Sequence, residues 1–308
     1  MSEDDDRTAS LMTPARLAKM KVQPRAAASP ADWLNQMAAD AGSGHVRRLL
    51  DLRRQLEEQL QADEGEALAD AATALGQAID AVDPALVQPR GWLARATGKG
   101  KEAAAVLAGQ AQRAVLAAED FADEVRQAQR KLPAQAAATD RGLLEMEVEL
   151  RAIEKIIDQA SRWLQDMRNQ LKARTAEGGG PEVQQQIQAD TARCELLVAR
   201  TKLLRAASSA TQHALESCRS LAGGRSAWLA AAQGLAEGEA ARCRQELSSL
   251  AGDAEGSGSP GVDSARAAQA ALQPALRRLA QEGGAVQAQR RAAIEQVAAA
   301  EAPLQAAG

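Results

Sequence analysis

Three residues with metal-ligating or reactive side chains lie close together near position 215, namely His213, Glu216 and Cys218. His and Glu three positions apart on a helix share one face, so both side chains can reach one metal ion. A protein zinc site needs three or four such ligands, whereas His45 is the only other histidine in the chain. We therefore interpret His213 as a solvated side chain or one at the edge of a packing seam. A thiol or ligand site at His213 and Cys218 stays open as the enzyme-class alternative.

A second candidate for chemistry is the glycine-rich segment around Lys99. A phosphate-binding loop requires a glycine five positions before the Gly-Lys pair and a Ser or Thr after it. Those two positions hold Leu93 and Gly100, so the motif fails and a basic turn before a helix is the better interpretation. We also find no nucleophile paired with a base. The sequence thus predicts no enzyme and no cofactor.

Glu145, Glu147 and Glu149 form the densest group of acids on a predicted helix. Alternate residues on a helix point about 200° apart, so these carboxylates do not converge as a catalytic pair would. We interpret them as a solvated face.

The elements that position these residues are all predicted to be helices. The chain has 308 residues, of which 73 are alanine, with one Phe, four Trp and no Tyr. Alanine, Leu, Gln, Glu and Arg favour helices, whereas the β-branched and aromatic residues that favour strands are scarce. Small side chains bury little area each, so stability must come from long helices in close contact. The predicted fold is all-α, an elongated bundle of long antiparallel helices with coiled-coil character.

One apolar stripe organises the chain between Met146 and Leu171. Its residues recur at alternating steps of four and three, which places them at positions a and d of a heptad repeat. The stripe is the candidate packing or partner seam, made of Met146, Leu150, Ile153, Ile157, Ala160, Leu164, Met167 and Leu171. A single helix cannot bury such a seam, so a second helix must cover it.

The covering helix is predicted to follow the turn at Gly178-Gly179-Gly180. Pro181 is favourable at a first helical position, and a short loop makes consecutive helices antiparallel neighbours. The returning helix should reach about Leu221 and end at Gly223-Gly224, and Pro133 should end or kink the helix before the seam. Cover by this helix within one chain is the simplest solution, but a dimer seam stays open.

The chain divides by composition into five predicted segments. These are a disordered acidic tail at 1–28, a cap of short helices at 29–90, a long helical-hairpin core at 91–252, a flexible linker at 253–262 and Ala-rich C-terminal helices at 263–308. The last segment is predicted to form two helices, over 263–281 and 285–300. Their weak apolar content means that they either dock back or bind a partner.

Charge and cysteine content limit the partners. The net charge of −4, with acids and bases interspersed, argues against a general nucleic-acid-binding surface. No apolar run approaches the ~18 residues of a membrane span, although peripheral membrane association is left open. The acidic start lacks a secretion signal, and three widely spaced cysteines suggest reduced thiols. We expect a cytoplasmic protein that binds a protein partner or self-associates through its helices.

Two stretches resemble the toxic-anion (tellurite) resistance family of the TelA type. The first is GWLAR at 91–95, a turn with a Trp before a long helical hairpin, and the second is LRAASSATQHAL at 204–215, a hydroxyl-rich helix. The similarity covers about residues 91 to 250, and Ser208-Ser209-Ala210 stands where a longer Thr run is usual. The resemblance implies a cytoplasmic, non-enzymatic helical protein linked to tellurite or envelope stress, and it transfers no ligand residues. The alternative is a coiled-coil scaffold or secretion-associated adaptor that uses its C-terminal helices.

Overall fold

A computed structural model describes residues 40–61, 65–83, 86, 99–253 and 262–308, and the side chains of 99–101 and 251–253 are not described. Across these ranges the regular structure is helical throughout, which confirms the predicted all-α bundle. The elements are α1 (Ser43–Gln61), α2 (Glu66–Asp80), α3 (Lys99–Glu177), α4 (Pro181–Leu235), a π-helical turn (Ala236–Ala240), α5 (Ala241–Asp253), α6 (Val262–Ala299) and α7 (Glu301–Ala307). Three predicted features lie outside the described residues. These are the tail at 1–28, most of the linker at 253–262, and the segment that contains Trp92 and Gly98.

Contacts divide the described residues into two units. Residues 40–43 and Glu154–Arg205 form the first, here called the hairpin unit, and Gly44–Ile153 with Ala206–Gly308 form the second, here called the bundle unit. Each unit combines segments that are distant in the sequence. The five segments predicted in chain order stay a prediction.

In the bundle unit, α1 lies antiparallel to α3. Nδ1 of His45 lies 2.6 Å from Oε2 of Glu149 near the start of α1, and the hydroxyl of Thr139 donates a 3.2 Å hydrogen bond to Gln59 near its end. Residue numbers therefore rise along one helix as they fall along the other.

The α4–α5 segment runs antiparallel to α3 in the same unit. Arg219 forms an ion pair with Glu147, and Arg244 approaches Glu119 to 3.8 Å further along. The pairing continues through the π-helical turn, where one extra residue per turn shifts the helix face without ending the helix.

The α6–α7 segment completes the bundle unit. Helix α6 packs against α2, α5 and α7. Arg290 on α6 donates to the carbonyl oxygen of Leu60 at 2.9 Å and Glu301 on α7 lies 3.3 Å from Arg53, so the α6–α7 segment is antiparallel to α1. Gln273 donates to Asp80 at the end of α2 at 2.8 Å, and Gln287 lies near Gly65 just before its start, so α6 is antiparallel to α2 as well. The C-terminal segment thus docks back on the rest of the chain. The residues that fill the core of this unit are fully buried and include Phe121, Leu49, Leu75, Met146, Leu247 and Leu272.

The hairpin unit contains the end of α3, the turn at 178–180 and the start of α4. Gly178 has a φ of +70°, the left-handed conformation that favours glycine after a helix end. Arg174 on α3 forms a 2.8 Å ion pair with Asp190 on α4, and Arg205 donates to the Ser161 hydroxyl at 3.1 Å. The predicted turn, the helix start at Pro181 and the antiparallel return are confirmed.

The core of the hairpin unit is small and made of seam residues. Ala160, Leu164, Cys194 and Leu197 are buried together, and Trp163, Met167, Leu171 and Val198 pack against them. Arg200 is also buried, and its Nε donates a 3.0 Å hydrogen bond to the carbonyl oxygen of Ala41. Burial lowers the pKa of this guanidinium, and Asp40 partly opposes the shift.

Three predicted helix boundaries are wrong, namely the end at Pro133, the end at Gly223-Gly224 and the break between 281 and 285. Helix α3 continues through Pro133, α4 continues through Gly223-Gly224, and α6 is one helix through Pro274 and Gly283-Gly284. Proline and glycine weaken a helix by about 3 and 1 kcal/mol relative to alanine, and tertiary packing on both sides exceeds such costs. At Gly283 the glycine permits close approach of another helix: a Cβ there would lie 3.2 Å from Nε1 of Trp228.

Candidate functional site

The most unusual part of the bundle unit is the middle of α3. Phe121 and Val125 are buried before this stretch and Leu143 and Met146 after it, but residues 126–142 are all half-buried or exposed. The positions that continue the buried stripe hold Ala128, Leu132, Gln135 and Thr139. Alanine is small, and Gln and Thr carry polar groups that are costly to bury, so this part of α3 does not fill the core. Pro133 at its centre also lacks the amide hydrogen that a regular helix needs.

Two adjoining cavities lie beneath this stretch, with volumes of about 170 and 230 Å³. They share Leu132, Gln135, Thr139 and Arg225 as lining residues. The first, here called the Trp228 cavity, is otherwise lined mainly by Gln59, Leu68, Ala128, Lys131, Ala138 and Trp228. The second, here called the Cys218 cavity, adds Leu60, Pro133, Asp140, Cys218, Leu221 and Leu229. Both are concave, mostly apolar spaces with a few polar groups, the usual character of small-molecule sites.

Trp228 forms a fixed wall of the first cavity. It is 7% exposed, and its Nε1 donates a 3.0 Å hydrogen bond to the carbonyl oxygen of Leu279. Gly65 and Gly283 approach its ring, where a Cβ would come within 3.4 and 3.2 Å. The indole, which projects from α4, is therefore enclosed by the residue before α2 and by α6. The sequence did not indicate a cavity beside this side chain.

Cys218 is buried in the wall of the second cavity. Burial raises the pKa of its thiol to about 11, although Arg225 lowers it in part. Burial likewise raises the pKa of Cys243 to about 11 and shifts that of Cys194 upward. Because the thiolate is the reactive form, all three thiols are poor nucleophiles at neutral pH.

The structure does not bring His213 and Cys218 to one site. His213 is exposed whereas Cys218 is buried, since five residues on a helix rotate the side chain by about 140° net. Glu216 is exposed as well. In the described part of the chain, no group of three or more His, Cys, Asp or Glu side chains is placed to hold a metal ion.

The three acids at 145, 147 and 149 do not form the solvated face that the sequence predicted. Each is half-buried and pairs with a basic residue of another helix. Glu145 pairs with Arg48 at 2.5 Å and Glu149 with His45, both on α1. Glu147 pairs with Arg219 on α4, and this hydrogen bond lowers the pKa of its carboxyl group. Glu145 and Glu149 thus face one helix and Glu147 another, as expected for residues four and two positions apart on a helix, although the periodicity does not identify the partner helices.

The seam residues lie inside the chain's own units. Met146, Leu150 and Ile153 are buried in the bundle unit, and Ile157, Ala160 and Leu164 in the hairpin unit. Met167 and Leu171 are half-buried near the turn.

A different apolar stripe of the hairpin unit faces solvent. Ala192, Leu196, Ala199 and Leu203 on α4 are all exposed, with Leu196 at 61% and Leu203 at 38%. Their spacing of four, three and four residues aligns them on one face, opposite the buried stripe that contains Cys194 and Leu197. We call these four residues the α4 outer stripe. The spacing of these residues is present in the sequence, but we assigned only the opposite, buried stripe of α4.

No family model, curated protein or solved structure matches this chain. The resemblance to the TelA-type family therefore stays a prediction. Among the described helices none combines the length and the apolar character required to cross a lipid bilayer.

Proposed function

We propose that this chain is a non-enzymatic helical protein that acts through protein–protein contacts, with the α4 outer stripe as its contact surface. The observation that carries the proposal is the exposure of Leu196 and Leu203 on one face of a helix whose opposite face already packs in the hairpin unit. Large exposed apolar side chains aligned on a helix are typical of partner-binding surfaces. A matching amphipathic helix, laid along this face, is the partner class that the spacing fits.

The stripe can be tested with a matched pair of variants. Leu196→Glu with Leu203→Glu introduces charge on the stripe, whereas Glu195→Gln with Lys202→Gln changes the exposed residue just before each leucine. Proteins cross-linked to each variant in cells are identified by mass spectrometry. We expect a defined partner to be retained by the Gln variant and lost from the Glu variant. The same set of cross-linked proteins for both variants would contradict the proposal.

The proposed biological setting is resistance to toxic anions such as tellurite, or envelope stress, and it rests on the resemblance of residues 91–95 and 204–215. A deletion strain is compared with strains that carry the wild-type chain or the Leu196→Glu, Leu203→Glu variant. We expect the deletion to lower growth in tellurite and only the wild-type chain to restore it. Unchanged tolerance in the deletion strain would refute the setting, and full rescue by the variant would refute the role of the stripe.

The adaptor alternative assigns partner binding to the C-terminal helices. Helix α6 buries ten residues along its length, among them Leu272, Leu276, Leu279 and Val286. Its apolar face is therefore occupied within the bundle unit, and we give preference to the α4 outer stripe.

A further inference from the structure

We infer that the Trp228 cavity binds a small amphipathic anion, namely a carboxylate on an aromatic ring or a short branched alkyl group. The cavity volume is about 170 Å³. A cavity of about 150 Å³ in another protein is large enough to hold benzene. A single ring therefore fits this space.

The walls suit an apolar group. Leu68 and Trp228 are buried on one side, and Leu132 with the small Ala128 and Ala138 lies on the α3 side. The indole offers a flat face to an aromatic ring, and offset or edge-to-face pairs of rings are favourable. Because Trp228 is hydrogen-bonded to the Leu279 carbonyl and flanked by two glycines, this wall is already formed before a ligand arrives.

The charges favour an anion. Among the lining residues that the structure describes, the charged ones are Lys131 and Arg225, and both are cations. The side-chain amides of Gln59 and Gln135 can donate hydrogen bonds to such a ligand, whereas the Thr139 hydroxyl already donates its proton to Gln59. Lys131 is exposed, so it lies where the polar end of a bound molecule would meet solvent. The Cys218 cavity differs, because Asp140 is part of its lining.

The site is tested first with phenylacetate and its neutral analogue phenylacetamide, which have nearly the same shape. The full chain with Trp33→Phe, Trp92→Phe and Trp163→Phe retains Trp228 as its sole tryptophan, and its fluorescence is followed during titration. For a ligand of about ten non-hydrogen atoms we expect a Kd of roughly 0.1–1 mM. The amide should bind about tenfold more weakly, because it lacks the charge. No response to phenylacetate, or equal affinity for the amide, would overturn the inference.

Matched variants then locate the site. Ala137 and Ala138 are both exposed, but only Ala138 lines the cavity, so Ala138→Leu extends a side chain into its opening whereas Ala137→Leu is a matched control. Lys131→Gln removes a lining charge, whereas Arg130→Gln removes an exposed charge one residue away. We expect at least a tenfold loss of affinity for Ala138→Leu, about a threefold loss for Lys131→Gln, and no change for either control. Binding that survives Ala138→Leu would place the ligand elsewhere and overturn the inference.

A second measurement does not depend on the tryptophan substitutions. Fluorine NMR of 4-fluorophenylacetate with the wild-type chain reports binding through line broadening. Competition by phenylacetate, together with loss of broadening in Ala138→Leu but not in Ala137→Leu, would support the site. Broadening that is the same in both variants would refute it.

Discussion

The adjacent glycines of α6 allow a direct test of how tightly Trp228 is held. Alanine in place of either Gly283 or Gly284 should gain about 1 kcal/mol from helix propensity, because glycine is the more costly residue inside a helix. At Gly284 a Cβ meets no atom within 4 Å, so this gain is the whole expected effect. At Gly283 a Cβ would lie 3.2 to 3.3 Å from three atoms of the Trp228 ring.

Whether the Trp228 ring can move decides whether Gly283→Ala raises or lowers the free energy of unfolding. Trp228 is buried, donates to the Leu279 carbonyl and has Gly65 on another side. Overpacking of a rigid core site costs about 1–3 kcal/mol, which equals or exceeds the propensity gain. We therefore expect Gly283→Ala to be about 1–3 kcal/mol less stable than Gly284→Ala.

The assay is urea unfolding of both variants, followed by circular dichroism and by tryptophan fluorescence. Since the propensity gain is common to both, the difference between their free energies of unfolding isolates the steric cost. In a Trp228→Leu background the difference should vanish, because the smaller side chain removes the contact. Equal stability of the two alanine variants in the wild-type background would show that the ring yields, and would refute the view of a fixed wall.

Three further predictions follow from the bundle unit. Phe121→Ala should lower the free energy of unfolding, measured in urea, by about 3–5 kcal/mol, since the ring is fully buried. Phe121→Leu keeps a large apolar side chain and should cost about 1.5 kcal/mol or less. Equal losses of stability in the two variants would contradict the place of Phe121 in the core. Pro133→Ala should add about 1–3 kcal/mol of stability and so raise the melting temperature, because an exposed proline inside α3 removes a backbone hydrogen bond. A lower melting temperature would contradict this prediction and mean that the fold requires proline at this position. Burial raises the pKa values of the Cys218 and Cys243 thiols from 9.0 to about 11. As pH rises, these thiols therefore lose their protons in the unfolded chain before they do so in the folded chain. The free energy of unfolding should fall as pH rises from 9 toward 11. Urea midpoints measured across that range should show a smaller fall in Cys218→Ala, and an unchanged slope would contradict the assigned shift.

The helical nature of the chain and its main turn could be predicted because both depend on local chemistry. Alanine-rich composition and a period near 3.6 residues select helices wherever an apolar face can be covered. Gly178 supplies a left-handed residue at a helix end, and Pro181 supplies a favourable first helical residue. These preferences act within a few residues along the chain. They can therefore be predicted without knowing which residues distant in the sequence lie nearby in the fold.

The candidate site could be predicted only in part. Its signal was present as a weakening of the buried stripe of α3, where Ala128, Gln135 and Thr139 replace large apolar residues around Pro133. The sequence prediction for this stretch was limited to an end or a kink of the helix at Pro133. Its meaning as a cavity depends on Leu68 and Trp228, which approach from α2 and α4.

Composition and periodicity thus decided that this chain is helical, where its longest helices reverse direction at Gly178, and which face of each carries apolar residues. The tertiary structure decided that Pro133, Gly224 and Gly283 lie inside helices, and that Glu145 and Glu147 pair with different partners. The physical reason is the relative size of the helix-propensity and packing energies. A glycine or proline changes helix stability by about 1–3 kcal/mol, whereas helices packed along their whole length gain far more from burial, and that gain depends on residues far apart in the sequence.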